Sequence, residues 1–313
     1  HASLLFFTEM GRCFWLKVYE IPEGDKTSKG RALQNMIQIP PDDKVRAIID
    51  VKSFDDEEFV DNHYILLCTK QGIINKSRLK DFSRPRQNGI NAININEGDQ
   101  LIEAKLTDGN CEIMMAVKSG RAIRFPEEKV RPTGRGGIGV RGIEVDETKD
   151  EVVGMICVNK DDKESTVLVV SANGYGKRTF LDDPETGENN YRITNRGGKG
   201  VKTISVTAKT GSLVGLLAVT EAQDLMITCV SGITIRMPVN QISEQGRATQ
   251  GVKLIRVDEG DEIAAITKLD EKEDEDEVIL DEAGNRIVSE TATDSEVSSD
   301  GDSAAEPEAP AES

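Results

Sequence analysis

Short apolar runs, each closed by a glycine turn and followed by a second run carrying arginine or lysine, recur five times along the chain. The openings are Leu4-Leu5-Phe6-Phe7-Thr8 before Gly11, Tyr64-Ile65-Leu66-Leu67-Cys68 before Gly72, Glu112-Ile113-Met114-Met115-Ala116 before Gly120, Thr166-Val167-Leu168-Val169-Val170 before Gly174, and Leu225-Met226-Ile227-Thr228-Cys229 before Gly232. Successive glycines stand 61, 48, 54 and 58 residues apart. A second glycine mark follows in each unit: Gly30-Arg31-Ala32-Leu33, Gly89-Ile90-Asn91-Ala92, Gly139-Val140-Arg141, Gly200-Val201-Lys202 and Gly251-Val252-Lys253. In units one, three and five the two marks are 19 residues apart. Each unit closes on another apolar run, at 45–51, 100–106, 151–158, 213–219 and 262–269. Where apolar and basic residues interleave, as in Arg121-Ala122-Ile123-Arg124-Phe125 and Lys253-Leu254-Ile255-Arg256-Val257, the period is short and argues for strands.

The pattern predicts an all-β array with about four short strands per unit. One such unit cannot bury both of its faces, whereas neighbours stacked in a ring or solenoid can. A generic propeller with blades of roughly 50 residues fits this spacing equally well. Residues 1–269 are expected to form the folded domain. From 270 to 313 the composition turns to Ser, Asp, Glu, Ala and Pro, with the charge run Glu271-Lys272-Glu273-Asp274-Glu275-Asp276-Glu277. Such a segment buries too little apolar surface to offset its chain entropy, so an acidic disordered tail is expected, broken only by the apolar island Val278-Ile279-Leu280.

Charge has to be read in two parts. The whole chain carries −17, but residues 270–313 hold 17 Asp/Glu against Lys272 and Arg286, and the body is left at −2. A nearly balanced body can still carry a basic stripe if the two signs are segregated in space. No apolar stretch is long enough for a membrane span, and the first residues lack the pattern of a signal peptide. Cys13, Cys68, Cys111, Cys157 and Cys229 lie far apart and are expected as buried thiols of a cytosolic protein. With His1 and His63 the only histidines, neither a zinc site nor a histidine-based triad is expected.

The cations gather between the two glycine marks. Unit two holds Lys76, Arg78, Lys80, Arg84 and Arg86; unit three holds Arg121, Arg124, Lys129, Arg131 and Arg135, then Arg141; unit four holds Lys177, Arg178, Arg192, Arg196 and Lys199, then Lys202. Arg31, Arg236, Arg247 and Lys253 fill similar places in units one and five. Anions gather between units, as in Asp55-Asp56-Glu57-Glu58 and Asp258-Glu259-Gly260-Asp261-Glu262. If the units fold alike, these twenty candidate DNA contacts (all those cations except Lys129) line one perimeter and the anions lie elsewhere. A continuous basic perimeter suits a duplex backbone. Aromatics are only 4% and are not interleaved with the cations, which speaks against a single-strand stacking platform. No recognition helix or zinc finger is visible, so the expected mode is backbone contact with bending. Arg196-Gly197-Gly198-Lys199-Gly200 and Arg135-Gly136-Gly137-Ile138-Gly139 let the backbone approach a phosphate, although neither is a Walker A loop.

Four segments carry a family resemblance: Val18-Tyr19-Glu20-Ile21-Pro22-Glu23, Asn173-Gly174-Tyr175-Gly176-Lys177-Arg178-Thr179, Gly139-Val140-Arg141-Gly142-Ile143, and Thr249-Gln250-Gly251-Val252-Lys253-Leu254-Ile255-Arg256. Across residues 1–269 the chain resembles the C-terminal domain family of DNA gyrase A. The resemblance implies a β-pinwheel, propeller-like but with strands exchanged between neighbouring blades and usually six-bladed. It further implies double-stranded DNA wrapped on a basic outer rim in support of negative supercoiling. The implied partners are the rest of gyrase A and gyrase B, in a cytoplasmic, nucleoid-associated A2B2 assembly. No cofactor is expected in this chain, because the resemblance assigns ATP and Mg²⁺ to the rest of the enzyme. It places the nucleophilic tyrosine outside the matched region as well, so Tyr19, Tyr64, Tyr175 and Tyr191 are read as structural or DNA-facing. The family's box reads Gln-Arg-Arg-Gly-Gly-Lys-Gly in the first blade. Here the nearest match is Thr194-Asn195-Arg196-Gly197-Gly198-Lys199-Gly200 in the fourth unit, which implies that one blade precedes the five present. The corresponding C-terminal domain of topoisomerase IV is a related alternative. A propeller that binds a protein, or one with an enzymatic site at its centre, also fits the strand pattern.

Overall fold

The computed structural model describes residues 2–24, 28–146 and 148–270, and the backbone of two short strands beyond them. The chain divides into two compact units, residues 1–271 and 272–313. The first unit is built almost entirely of antiparallel sheets. The first sheet takes β1 (Ser3–Thr8), β2 (Arg12–Lys17) and β3 (Val45–Val51) from one sequence repeat. After the short helix α1 (Glu57–Asn62) come β4 (Tyr64–Thr69), β5 (Ile73–Arg78), β6 (Ile90–Asn91) and β7 (Leu101–Thr107). The third repeat supplies β8 (Cys111–Val117), β9 (Arg121–Pro126), β10 (Val140–Arg141) and β11 (Val152–Asn159). The fourth supplies β12 (Thr166–Ser171), β13 (Tyr175–Phe180), β14 (Val201–Lys202) and β15 (Leu213–Val219), and the fifth β16 (Asp224–Cys229), β17 (Thr234–Pro238), β18 (Val252–Lys253) and β19 (Ile263–Leu269). In the second unit β20 (Ile279–Leu280) pairs antiparallel with β21 (Arg286–Ile287); apart from these and Asp270, the expected acidic tail, Val278 included, lies outside the described residues.

The outermost strand of a sheet is not its own. The sheet orders are β3-β1-β2-β6, β10-β5-β4-β7, β11-β8-β9-β14 and β15-β12-β13-β18, so the two-residue strand at each second glycine mark pairs with the preceding repeat. The fifth sheet, β17-β16-β19, has three strands. At the other end, the segment after Gly30 lends no strand: Leu33–Asn35 forms a 3-10 turn, and a Cβ built on Gly30 would meet nothing within 4 Å.

Alternate residues of the strands one in from the hub enter different cores, because successive side chains point to opposite faces. Ile65 and Leu67 join the core between blades one and two, while Leu66 and Cys68 join the next. Ile113, Met115 and Val117 face that second core, and Met114 and Ala116 face the third. All seven residues of β8 and all six of β12 are therefore buried, as expected for strands covered on both faces. By contrast β3 alternates, because one of its faces looks into a central cavity of about 660 Å³ lined by Arg46, Ile48, Asp50, Glu103, Lys105 and Thr267 among others. A separate cluster of Phe6, Phe14, Leu16, Ile37 and Ile39 covers the free side of blade one.

Backbone hydrogen bonds stitch successive units at the hub: Leu101 N to Glu9 O (2.9 Å), Val152 N to Lys70 O (2.8 Å), Leu213 N to Lys118 O (2.9 Å) and Ile263 N to Ala172 O (2.9 Å). Among the described residues no such bond joins the fifth sheet to the first. An aspartate braces the tight turn in four of the five units. Asp43 Oδ1 accepts from Met10 N (3.1 Å), Asp99 Oδ1 from Gln71 N (2.9 Å), Asp150 Oδ1 from Ser119 N (3.0 Å) and Asp261 Oδ1 from Ser231 N (3.1 Å). The hydroxyls of Ser119 and Ser231 also satisfy the second oxygen of Asp150 and Asp261, whereas Oδ2 of Asp43 and of Asp99 is buried without a partner. Hydrogen bonds from Ser231 and Glu262 outweigh the opposing effect of burial and hold Asp261 below the usual carboxylate range. Much of the acidic sequence between units is thus consumed by turns. The run at 55–58 likewise caps α1, with Asp56 accepting from Phe59 N (3.0 Å) and Glu57 and Glu58 in its first turn.

Candidate nucleic-acid interface

The exchanged strands carry the clearest repeat of exposed charge. On consecutive blades Arg141 lies opposite Ile73, Lys202 opposite Arg121, and Lys253 opposite Tyr175. In blade one the same place holds Asn91 opposite Arg12. Arg141, Lys202 and Lys253 are all exposed, at one and the same position of three neighbouring sheets. Arg121 and Lys202 are like charges directly opposed, an arrangement that is unfavourable within a sheet unless an anion lies over it. The Arg121 guanidinium donates to Lys199 O (3.1 Å) and Gly200 O (2.9 Å), along the glycine-rich loop. The ammonium groups of Lys209 and Lys253 stand 5.4 and 5.9 Å from the Tyr175 ring centroid.

The loops ahead of these strands add Arg84 and Arg86, Arg131 and Arg135, and Arg192, Arg196 and Lys199, all exposed, with the half-buried Arg247 in the fifth unit. Arg31, Arg78, Lys80 and Arg236 are exposed too; Lys80 pairs with Asp61 (2.8 Å) and Arg236 with Asp224 (2.5 Å). Glu144 lies among these cations, 3.7 Å from Lys199, and Glu244 stands exposed three residues before Arg247.

Four sequence candidates are corrected by their burial. Lys76, Arg124, Lys177 and Arg178 are only 5%, 5%, 0% and 3% exposed, where no phosphate can reach them. Three of them share one repeat position, four residues after the first glycine mark, together with Trp15 and Arg236. At this position the side chain donates to the next unit. Trp15 Nε1 reaches Phe82 O (3.1 Å), Lys76 pairs with Glu127 (2.6 Å), and Arg178 Nε reaches Ile242 O (2.9 Å) with Glu221 (3.1 Å) and Glu244 (3.3 Å) on its Nη2. Arg124 holds Glu112 of its own sheet and Asp182 (2.6 Å) and the Tyr191 carbonyl (3.1 Å) of the next unit. Burial alone would lower the Arg124 pKa, but the hydrogen bonds it donates to Asp182 and Glu112 outweigh it and raise the value. Arg236 instead turns back to Asp224 of its own sheet. Lys177 lies beneath the loop that carries Arg247 and donates to Gly246 O; burial, with Arg247 beside it, lowers its pKa to about 7. These side chains bolt blades together.

Sequence reasoning passed over Arg12 and Lys209. Arg12 follows Gly11 as Arg121 follows Gly120, which was a usable signal, whereas the placement of Lys209 beside Tyr175 depends on the fold. Tyr191 is fully buried, with its hydroxyl 2.6 Å from Thr203 Oγ1. The five cysteines are free thiols, four buried and Cys157 partly so. Among the described residues no helix is long and apolar enough to cross a membrane.

Sheets set around a shared cavity, four of the five completed by a strand from the following repeat, define a β-propeller of the strand-exchanged pinwheel kind, here with cations along its exchanged edge. The model of the family described as DNA gyrase C-terminal domain, beta-propeller, matches residues 2–52, 63–108, 112–159, 165–183, 186–220 and 223–270, and the chain belongs to that family. The DNA gyrase A protein of Staphylococcus epidermidis is 42% identical over 274 residues, covering 88% of this chain and 29% of that protein. That of Staphylococcus aureus is 41% identical over 295 residues, 94% of this chain and 32% of that one. The chain therefore spans about a third of the length of these relatives. Among solved structures it is similar to a DNA gyrase A C-terminal domain, with TM-score 0.70, 26% identity, and 86% and 82% of the two chains covered. A DNA topoisomerase IV C-terminal domain superposes with TM-score 0.75 over 86% and 79%, and at 23% identity that likeness speaks for the fold alone.

Proposed function

We propose that this chain is the DNA-wrapping module of a gyrase A protein, binding duplex DNA along the exchanged edges of its blades and bending it around the rim. The observation that carries the reading is the recurrence of an exposed cation at one structural position, Arg141, Lys202 and Lys253, on three consecutive sheets. Such a row matches a polyanion whose charges repeat, and it reads no bases. The module breaks no bonds itself. DNA cleavage and the ATP and Mg²⁺ chemistry belong to the remainder of gyrase A and to gyrase B, and the wrapped segment is handed to them for strand passage toward negative supercoiling in the bacterial cytoplasm. The acidic stretch 270–313, at −15, competes with DNA for the rim, so its removal should tighten binding at low salt.

The test is to bind the chain to nicked circular DNA, seal the nick and read the linking number of the products. Wrapping leaves a nonzero linking difference of one sign. With six to ten phosphate contacts, affinity should also fall roughly 10³- to 10⁵-fold between 50 and 200 mM salt. A salt-insensitive affinity, or topoisomers indistinguishable from a protein-free control, defeats the proposal.

A further inference from the structure

Three rim loops are fastened to the exchanged strand of the preceding blade by an arginine that lies in register from unit to unit. Arg135 Nη1 donates to Asn91 O (3.3 Å), Arg196 Nη1 to Arg141 O (3.1 Å) and Arg247 Nη1 to Lys202 O (3.1 Å). Every donor stands four residues before its own second glycine mark, and every acceptor two residues after the preceding one. Backbone bonds run beside these side chains. Asn94 N reaches Gly137 O (3.2 Å), Glu144 N reaches Gly198 O (2.9 Å) and Ser205 N reaches Thr249 O (2.9 Å). Gly136 N and Gly197 N return to Ala92 O (3.0 Å) and Gly142 O (2.6 Å).

The acceptor residues matter. Arg141 and Lys202 are the exposed rim cations themselves, so the guanidinium of one blade grips the main chain that carries the cation of the blade before it. Unit two has Pro85 in the donor position, and the first interface has no such clasp. We infer that Arg196 and Arg247 are positioning residues. They fix the spacing between neighbouring rim cations by holding the peptide that carries Arg141 or Lys202, and their own charge is secondary. Arg135 makes the same clasp on an uncharged residue, Asn91. This inference rests on the duplex-binding reading for its consequence, and on the hydrogen bonds alone for its mechanism.

Arginine suits the task because its planar fork can serve two carbonyls at fixed angles. Arg196 Nε also donates to Lys129 O (3.0 Å). A lysine keeps the charge and loses that geometry, so Arg→Lys separates clasp from charge. With the whole chain and a mixed-sequence linear duplex as probe, R196K should bind about three- to tenfold more weakly, the loss of one hydrogen bond, with the salt slope unchanged. R141A should lower the slope by about one phosphate. The double variant R141A/R196K should bind no more weakly than R141A, because the clasp then positions a side chain that is gone. In hydrogen exchange, the amides of Glu144 and Gly197 should exchange about tenfold faster in R196K, and that of Asn94 in R135K, as expected for about 1.4 kcal/mol of lost local protection.

Unchanged affinity in R196K, or penalties that multiply in the double variant, would each overturn the positioning role. Retained protection at Glu144 and Gly197 would overturn the clasp itself, and that readout needs no DNA. If the parent chain bound duplex without salt dependence, the wrapping proposal would fall while the exchange data still decided whether the loops are clasped.

Discussion

The exchanged strand can be tested by pairing two glycine-to-alanine changes that differ in one respect. Gly139 and Gly30 both have left-handed backbone, at φ 93° and 66°. An alanine in that region costs about 1 kcal/mol at either site. At Gly139, however, the added Cβ would lie 2.5 Å from Ile74 O and 2.9 Å from its carbonyl carbon, and neither can rotate away. Relief requires β10 to leave β5, which gives up the pairing of Val140 and Arg141 with Ile74 and Ile73 and the bond from Gly142 N to Gly72 O (2.8 Å). About three hydrogen bonds at about 1 kcal/mol each then add to the conformational cost. G139A should therefore lose about 4 kcal/mol and G30A about 1 kcal/mol, in urea titrations followed by far-ultraviolet circular dichroism. Local exchange at Gly142 should rise in G139A before the global transition. Equal losses in the two variants would mean that the exchanged strand adds nothing beyond local turn geometry, and the account of how blades are joined would be wrong.

Serine at position 71 should raise stability by about 1 kcal/mol, because its hydroxyl would satisfy the buried Oδ2 of Asp99 as Ser231 does for Asp261; a lower urea midpoint for Q71S would refute this. Removing Arg124 should cost about 3–5 kcal/mol by stranding Glu112, whereas removing the exposed Arg141 should change stability by less than about 0.5 kcal/mol; similar losses would contradict the division into bolts and rim. The native pKa of Lys177 is lowered to about 7 from 10.5, so above pH 7 the folded chain has released a proton that the unfolded chain keeps. Stability should thus rise with pH from about 7, by at most about 1.4 kcal/mol per unit. K177M should lack this rise; parallel pH curves for parent and variant between pH 7 and 8.5 would exclude the assignment.

The repeat, the strand class and the glycine marks could all be read from the sequence, because a strand buried on both faces leaves a continuous apolar run and a turn under close approach leaves a glycine. Strand exchange could not be read from the spacing itself. Gly139-Val140-Arg141 looks the same whether it completes its own sheet or its neighbour's, and only the meeting of Gly139 with Ile74 decides. The fifth sheet has three strands and a Cβ on Gly30 meets nothing within 4 Å, so among the described residues the exchange completes four of the five sheets. The buried cations were misread for a related reason. Arg124 and Arg121 sit three residues apart on one strand and are chemically identical, yet one faces the next blade's carboxylate and carbonyls and the other faces the rim.

Charge pattern alone therefore overstates a nucleic-acid surface wherever repeats are bolted together by ion pairs. The position four residues after the first glycine mark is cationic in blades two to five and is Trp15 in blade one. An indole N–H does the same work there, donating to Phe82 O as Arg178 donates to Ile242 O. That exchange of a neutral donor for a cation marks the position as one that requires reach and a hydrogen bond, since a phosphate contact would not survive it. The position two residues after the second mark behaves differently. It is exposed in every blade that has it, and its side chains, Asn91, Arg141, Lys202 and Lys253, make no ion pair with a carboxylate among the described residues. A desolvated cation needs a partner inside the protein, and one that stays solvated is free to find its partner outside. On that distinction the rim, and not the full set of basic residues, is where a duplex would lie.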